Sequence, residues 1–316
     1  MDRIENAINN LIVNTNEAIK SRIEEVRYCI DIPETNSKGY CYCLRVDANG
    51  KLRLHDLIEY IDSRIVDYAI PKKEIEEARH DLNETGSTRK IIQLRKKAEN
   101  LFTDLNNTGE GGEILLYILT QDILKLPQLI SKMSLKTSPK MHYQGADGVH
   151  FQYNRTTGNL ELYWAEAKMY QDLNTALANC FESLKGFLLD PKGCTSTQER
   201  DIDLITSNIH QNINDEAIED VLVGYFDKDR GQSNHLIYKG VCFIGFDYDK
   251  YPSDTDVTKT TEYIKNAVLT EYEKWHNTIG NKIKDHENLD KKEIHVFLMP
   301  FPSVNDFRKY YLKTIK

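Results

Sequence analysis

The stretch GADGVHFQYNRTTGNLELYWAEAKMY, residues 145–170, decides how the chain is read. Two runs rich in strand-forming residues flank the polar turn NRTTGN, so the segment predicts a β-hairpin. The second run, LELYWAEAKM, is apolar and aromatic enough for a sheet interior. It nevertheless carries Glu166 and Lys168, two positions apart and therefore on one face. The first run opens Gly-Ala-Asp-Gly, which brings Asp147 beside Glu166 if the strands are offset or the first strand bends at its glycines. Burying charge is costly unless the charges pair or bind a metal. Either Glu166 and Lys168 form a structural ion pair on an edge strand, or the hairpin carries a site.

Outward from the hairpin, NNTGEGGEILLYILTQDILKLPQ is a glycine-rich lead-in to a helix apolar almost all round, hence central and buried. Glu110 and Glu113 fall in its first turn, where the positive end of the helix dipole favours carboxylates. On the other side, QDLNTALANCFESLKGFLLD predicts a helix ending before Pro191, and residues 195–215 a further helix and loop. HLIYKGVCFIGFDYD and KEIHVFLMPF read as strands, TKTTEYIKNAVLTEYEKWHNTI and SVNDFRKYYLKTI as helices, the last capped by Ser303.

In the N-terminal third, residues 2–24 read as an amphipathic helix, VRYCIDI and YCYCLRV as strands, and Asn49-Gly50 as a hairpin signal. HDLIEYIDSRIVDYA has helical periodicity up to Pro71, which opens a helix running, with a polar break at NETGST, to about Asn106. Strands alternating with helices predict an α/β protein around a central mixed sheet flanked by helices. Residues 1–106 form an N-terminal α/β extension, a candidate docking surface, and 107–316 the core, although no linker marks a boundary.

The 316 residues are 40% hydrophobic and 28% charged, ordinary for a globular protein. No apolar run approaches the roughly 18 residues of a membrane span, and the N-terminus lacks a signal-peptide pattern, so a cytoplasmic protein with no membrane partner is expected. The six cysteines fit no disulfide framework; Cys41 and Cys43 read as buried thiols at alternate strand positions. With a net charge of −8, any grip on nucleic acid must be local. The candidates are Arg89, Lys90, Arg95, Lys96 and Lys97 in one run and Lys132, Lys136 and Lys140 in another.

Asp147, Glu166 and Glu113 would repel one another if they converged without a cation. Mg²⁺, with Mn²⁺ as the alternative, prefers carboxylate and water oxygens and shares its shell with phosphate. The Ala167 carbonyl is a further candidate ligand, and Lys168 a candidate for stabilising charge on a reacting phosphoryl group. A carboxylate-x-Lys tripeptide is weak evidence alone, since it recurs at Asp190 and Asp290, but only Glu166-Ala167-Lys168 lies in an apolar strand.

An acidic helix followed by G-x-D and E-x-K on consecutive strands resembles the PD-(D/E)XK nuclease superfamily, with Ala146 in place of the usual proline. The stretches IVDYAIPKKEIEEA, GEGGEILLYIL, PQLISKMSLKTSPKMHYQGADGVH, LELYWAEAKMY and HVFLMPFPSVNDFRKYY are similar to the HamA nuclease subunits of Hachiman anti-phage defence systems. That resemblance implies a PD-(D/E)XK core and a metal-dependent deoxyribonuclease acting on DNA with a helicase partner, HamB. It also implies that Asp147, Glu166 and Lys168 form the catalytic motif, with Glu113 completing the metal site and Glu110 the weaker choice. Lys136 would lie near the DNA backbone. His142 and His150 read as packed or solvated, and Gln171 as orienting water or phosphate or else opening a helix. A catalytically silent, nuclease-fold scaffold or DNA-sensing subunit is the competing expectation.

Overall fold

The structure, a computed structural model, describes residues 2–102, 109–131, 133, 145–189, 197–252 and 258–315. Its centre is one six-stranded mixed sheet in the order β1-β2-β6-β5-β4-β3. The strands are β1 (Ile23–Asp31), β2 (Lys38–Leu44), β3 (Gly148–Asn154), β4 (Asn159–Met169), β5 (Leu236–Asp247) and β6 (Ile294–Phe301). β2, β6, β5 and β4 pair in parallel, and the two hairpins, β1–β2 and β3–β4, close the edges antiparallel. The near-continuous apolar runs of β5 and β6 fit this arrangement, because central parallel strands are covered on both faces.

Helices supply that cover. They are α1 (Asp2–Asn9), α2 (Leu54–Ser63), α3 (Ile65–Ala69), α4 (Lys72–Thr85), α5 (Arg89–Glu99), α6 (Glu110–Asp122), α7 (Leu173–Leu188), α8 (Thr197–Asn208), α9 (Glu216–Phe226), α10 (Thr261–Lys284) and α11 (Val304–Ile315). α6 lies against β4 with Gly112 over Met169 and Ala167, the face opposite Glu166 and Lys168. α7 covers the Glu166 face, where the Cys180 thiol lies 3.7 Å from the Glu166 carbonyl oxygen. No described helix is long and apolar enough to cross a membrane.

Three expectations change. The helix expected over 2–24 ends at Asn9; Asn16 and Glu17 take positive φ, and β1 begins at Ile23. Asparagine-rich sequence favours local side-chain bonding over helix, which cut the amphipathic pattern short. The helix over 55–69 divides at Arg64, whose buried guanidinium pairs with Asp67 and Asp122. α9 was not anticipated, although Asp215 caps it by accepting the N–H groups of Ala217 and Ile218.

The sheet does not divide at 106/107: β2 of the N-terminal region hydrogen-bonds to β6 of the remainder. The break at NETGST is real, with Gly86 left-handed at φ 69° between α4 and α5, while α5 ends at Glu99. Cys41 and Cys43 are free, buried thiols on one face of β2.

Candidate active site

The hairpin ladder has no offset, but the chain bends at Asp147, just before β3 begins. The turn pairs Asn154 with Asn159, with Gly158 taking the positive φ of 72° there, and the ladder runs regularly back to Gly148 opposite Ala165. One step further, Asp147 stands across from Glu166. There the Asp147 N–H still donates to the Ala165 carbonyl at 2.9 Å. Its Oδ2 accepts the Ala167 N–H at 2.8 Å. β4 continues to Met169, so its last residues run past the end of β3, with no strand on that side among the described residues. Strand alternation directs the Ala167 carbonyl to that same edge.

A cleft of about 190 Å³ sits at this edge. Glu113, Asp147, Ala167, Lys168, Tyr170 and Arg308 are among its lining residues. Glu113 comes from the first turn of α6, where Gly112 lets the helix start close to Met169 and Ala167 of β4. Glu110 is buried and does not line the cleft, which favours Glu113 of the two.

Glu166 is nearly fully buried and is engaged by Lys168, whose Nζ lies 2.5 Å from its Oε1. Burial pushes the Asp147 carboxyl well above the usual range, and the Glu166 and Glu113 charges push it further; Lys168 and the Ala167 N–H oppose them. Burial works against the Lys168 ammonium, but the Glu166 and Asp147 carboxylates outweigh it and hold that group above the ordinary lysine range.

The donor set is all oxygen, which suits a hard divalent cation, and the repulsion around Asp147 is what such an ion relieves. Two contacts already occupy these donors: Lys168 holds Glu166, and the Ala167 N–H holds Asp147. Among the described residues no three Asp, Glu, His or Cys side chains are gathered as a metal group. The Lys168 contact engages only Oε1 of Glu166, so its second carboxylate oxygen is the one to turn toward an ion shared with Asp147 and Glu113.

Other sequence candidates fall outside the cleft. His150 is packed: its ring Nδ1 is 3.0 Å from the Leu126 carbonyl, and burial lowers its pKa to about 4. The Gln171 side chain is exposed, and its carbonyl accepts the Asp247 N–H. In α5, Lys90 pairs with Asp81, Arg95 with Asp62 and Glu99, and Lys97 with Glu74, so much of that basic run is neutralised. Lys132, Lys136, Lys140 and His142 lie outside the described residues.

Three supporting residues escaped the sequence reading. The Tyr68 hydroxyl of α3 donates to Glu113 Oε2 at 3.3 Å. Asp201 of α8 accepts the Ala146 N–H at 3.2 Å and so holds the backbone before Asp147. Arg308 of α11 donates to the Met169 carbonyl. None carries a local signal, because each acts through a partner far away in sequence. The HamA family model matches residues 17–315. No curated protein matches the chain.

Proposed function

This chain belongs to the HamA family, a component of Hachiman anti-phage defence, and on that premise we propose that it is a metal-dependent deoxyribonuclease working with a helicase partner, HamB. The observation that carries the reading is the cleft at the edge of β4, where Asp147, Glu113, Ala167 and Lys168 meet with Glu166 directly behind. The proposal takes the hairpin, α6 and the parallel strands beside them as a PD-(D/E)XK core.

In this reading Asp147, Glu113, Glu166 and the Ala167 carbonyl hold Mg²⁺ or Mn²⁺. When bound, the ion polarises a phosphoryl oxygen and acidifies a coordinated water. The protein's own contribution is electrostatic and positional. Lys168, kept charged by its carboxylate neighbours, is a poor general base; it offsets negative charge gathering on the phosphorus centre. Tyr68 fixes the Glu113 carboxylate, and Asp201 fixes the turn that delivers Asp147. The net charge of −8 fits a nuclease that receives its DNA from a partner rather than gripping it alone.

The competing reading, a silent nuclease-fold scaffold or DNA-sensing subunit, is favoured by one feature: the Glu166–Lys168 pair leaves no gathered metal group among the described residues. DNA degradation by the chain with its helicase, in Mg²⁺ and in chelator, separates the two. The nuclease reading expects Mg²⁺-dependent loss of DNA in wild type and none in Asp147→Asn. Equal DNA survival with wild type and Asp147→Asn in Mg²⁺ sinks it.

A further inference from the structure

The cleft contains a second cation that the nuclease motif does not use. Arg308 reaches it from α11, a helix whose start is held twice: Asp247 Oδ1 accepts the Val304 N–H, and Ser303 Oγ accepts the Asp306 N–H. Further along α11, Phe307 and Tyr311 pack so closely on Gly111 of α6 that a Cβ there would lie 3.0 Å from the Phe307 ring. The helix presenting Arg308 is thus locked to the helix presenting Glu113.

The bonding of Arg308 differs from that of Lys168. Lys168 is answered by the Glu166 carboxylate at 2.5 Å. Arg308 is answered by neutral groups: Nη2 donates to the Met169 carbonyl, one residue past Lys168, and Nη1 makes a long 3.5 Å contact to Asn305 Oδ1. Among the described residues no carboxylate makes an ion pair with it. A carbonyl orients a guanidinium without cancelling its charge, and two contacts leave other N–H donors of the five-donor fork unspent. A half-buried, oriented guanidinium that faces a cleft and makes no ion pair among the described residues is an anion receptor, and its planar fork matches two oxygens of a phosphate.

We infer that Arg308 binds a phosphate of the DNA strand entering the cleft, holding it through the guanidinium edge turned away from Met169. Phosphate as the anion rests on the nuclease reading above; the receptor itself rests on the geometry. Arg308 is a substrate-binding residue here, and the α6–α11 lock keeps it in register with the carboxylates.

The test titrates labelled DNA, single-stranded and duplex, with the full chain in chelator at low salt and reads fluorescence anisotropy. Arg308→Gln is expected to weaken binding about tenfold and to lower the slope of log affinity against log salt by about one. Arg308→Lys, which keeps the charge and a donor for the Met169 carbonyl, recovers part of the affinity and melts like wild type. With the helicase and Mg²⁺, both variants raise KM more than they lower kcat, and the lowered salt slope separates loss of the phosphate contact from loosening of α11. Wild-type affinity and salt slope in both variants, or no binding by wild type at low salt, overturns the inference even if the complex cuts DNA. If Arg308→Gln is misfolded, Arg308→Lys decides alone: unchanged affinity and KM overturn the inference. Weakened binding in the variants with no cleavage by wild type leaves the receptor standing and removes the nuclease reading instead.

Discussion

The Asp147 carboxylate accepts the backbone N–H of Ala167 at 2.8 Å, so a side chain takes up the strand edge where β3 stops. That bond places an acid at the mouth of the cleft and costs it solvation, leaving it close to the charges of Glu166 and Glu113. The local strain of the site is therefore electrostatic, and substitutions expose it.

Asp147→Asn keeps an oxygen for the Ala167 N–H and removes the repulsion. The folded carboxyl titrates above its unfolded value near 3.9, so the native state binds more protons than the unfolded state between the two values. Its stabilising effect is present in acid and lost as pH rises through the folded value. Without metal, Asp147→Asn should melt above wild type at pH 7 and level with it near pH 3, while DNA cleavage falls by at least on the order of a hundredfold. Melting curves at the two pH values check this; equal melting at pH 7 counts against the repulsion.

Lys168→Ala leaves the nearly buried Glu166 carboxylate without its partner. Breaking one side of a buried pair costs roughly 3 kcal/mol. Lys168→Ala with Glu166→Gln should regain most of that, since the stranded charge is gone, and both proteins should be inactive. Urea unfolding of the two single variants and the double measures the coupling; purely additive effects would show that the pair is not energetically linked.

Gly111→Ala tests the lock between α6 and α11. In a helix interior the change ordinarily gains up to about 1 kcal/mol. Here the added methyl meets the Phe307 and Tyr311 rings at 3.0 and 3.1 Å, and aromatic rings packed in a core cannot step aside cheaply. Overpacking of roughly 1–3 kcal/mol should win. A lower melting temperature together with a raised KM for DNA is expected, and a stabilised variant would refute the tight contact.

His150 is held neutral by burial, with a folded value of about 4. The unfolded chain takes up this proton near pH 6.5 and the native one does not until about pH 4, so stability contributed above pH 6.5 is lost as pH falls through that window, by roughly 3 kcal/mol. His150→Leu should flatten the dependence of stability on pH between 6.5 and 4 by about one proton, at some cost from the unanswered Leu126 carbonyl, and leave the pH profile of cleavage unchanged. An unaltered slope would mean that another group carries the acid sensitivity.

Much of the hairpin is legible in residues 145–170. A two-residue period puts Glu166 and Lys168 on one face, and a glycine-bearing turn carries the chain back past them. The apolar helix with carboxylates in its first turn is equally plain, because burial and dipole both act locally. Less legible was the pairing across the turn: its register depends on which turn residue takes positive φ, and Gly158 does so. The long helix expected at the N-terminus failed where asparagines compete for the backbone, and the basic run of α5 was misleading because Asp62, Glu74 and Asp81, from α2 and α4, pair with it in addition to its own Glu99.

By itself, then, the sequence determined the strands, most of the helices, and the local company of Asp147, Glu166 and Lys168. Only the tertiary structure decided that Glu113 rather than Glu110 lines the cleft, that Tyr68 and Asp201 hold its acids in place, and that Arg308 stands there without an ion-pair partner among the described residues. The physical reason is range. Periodicity and capping act over a few residues, whereas these contacts join segments far apart in sequence that only the folded chain brings together.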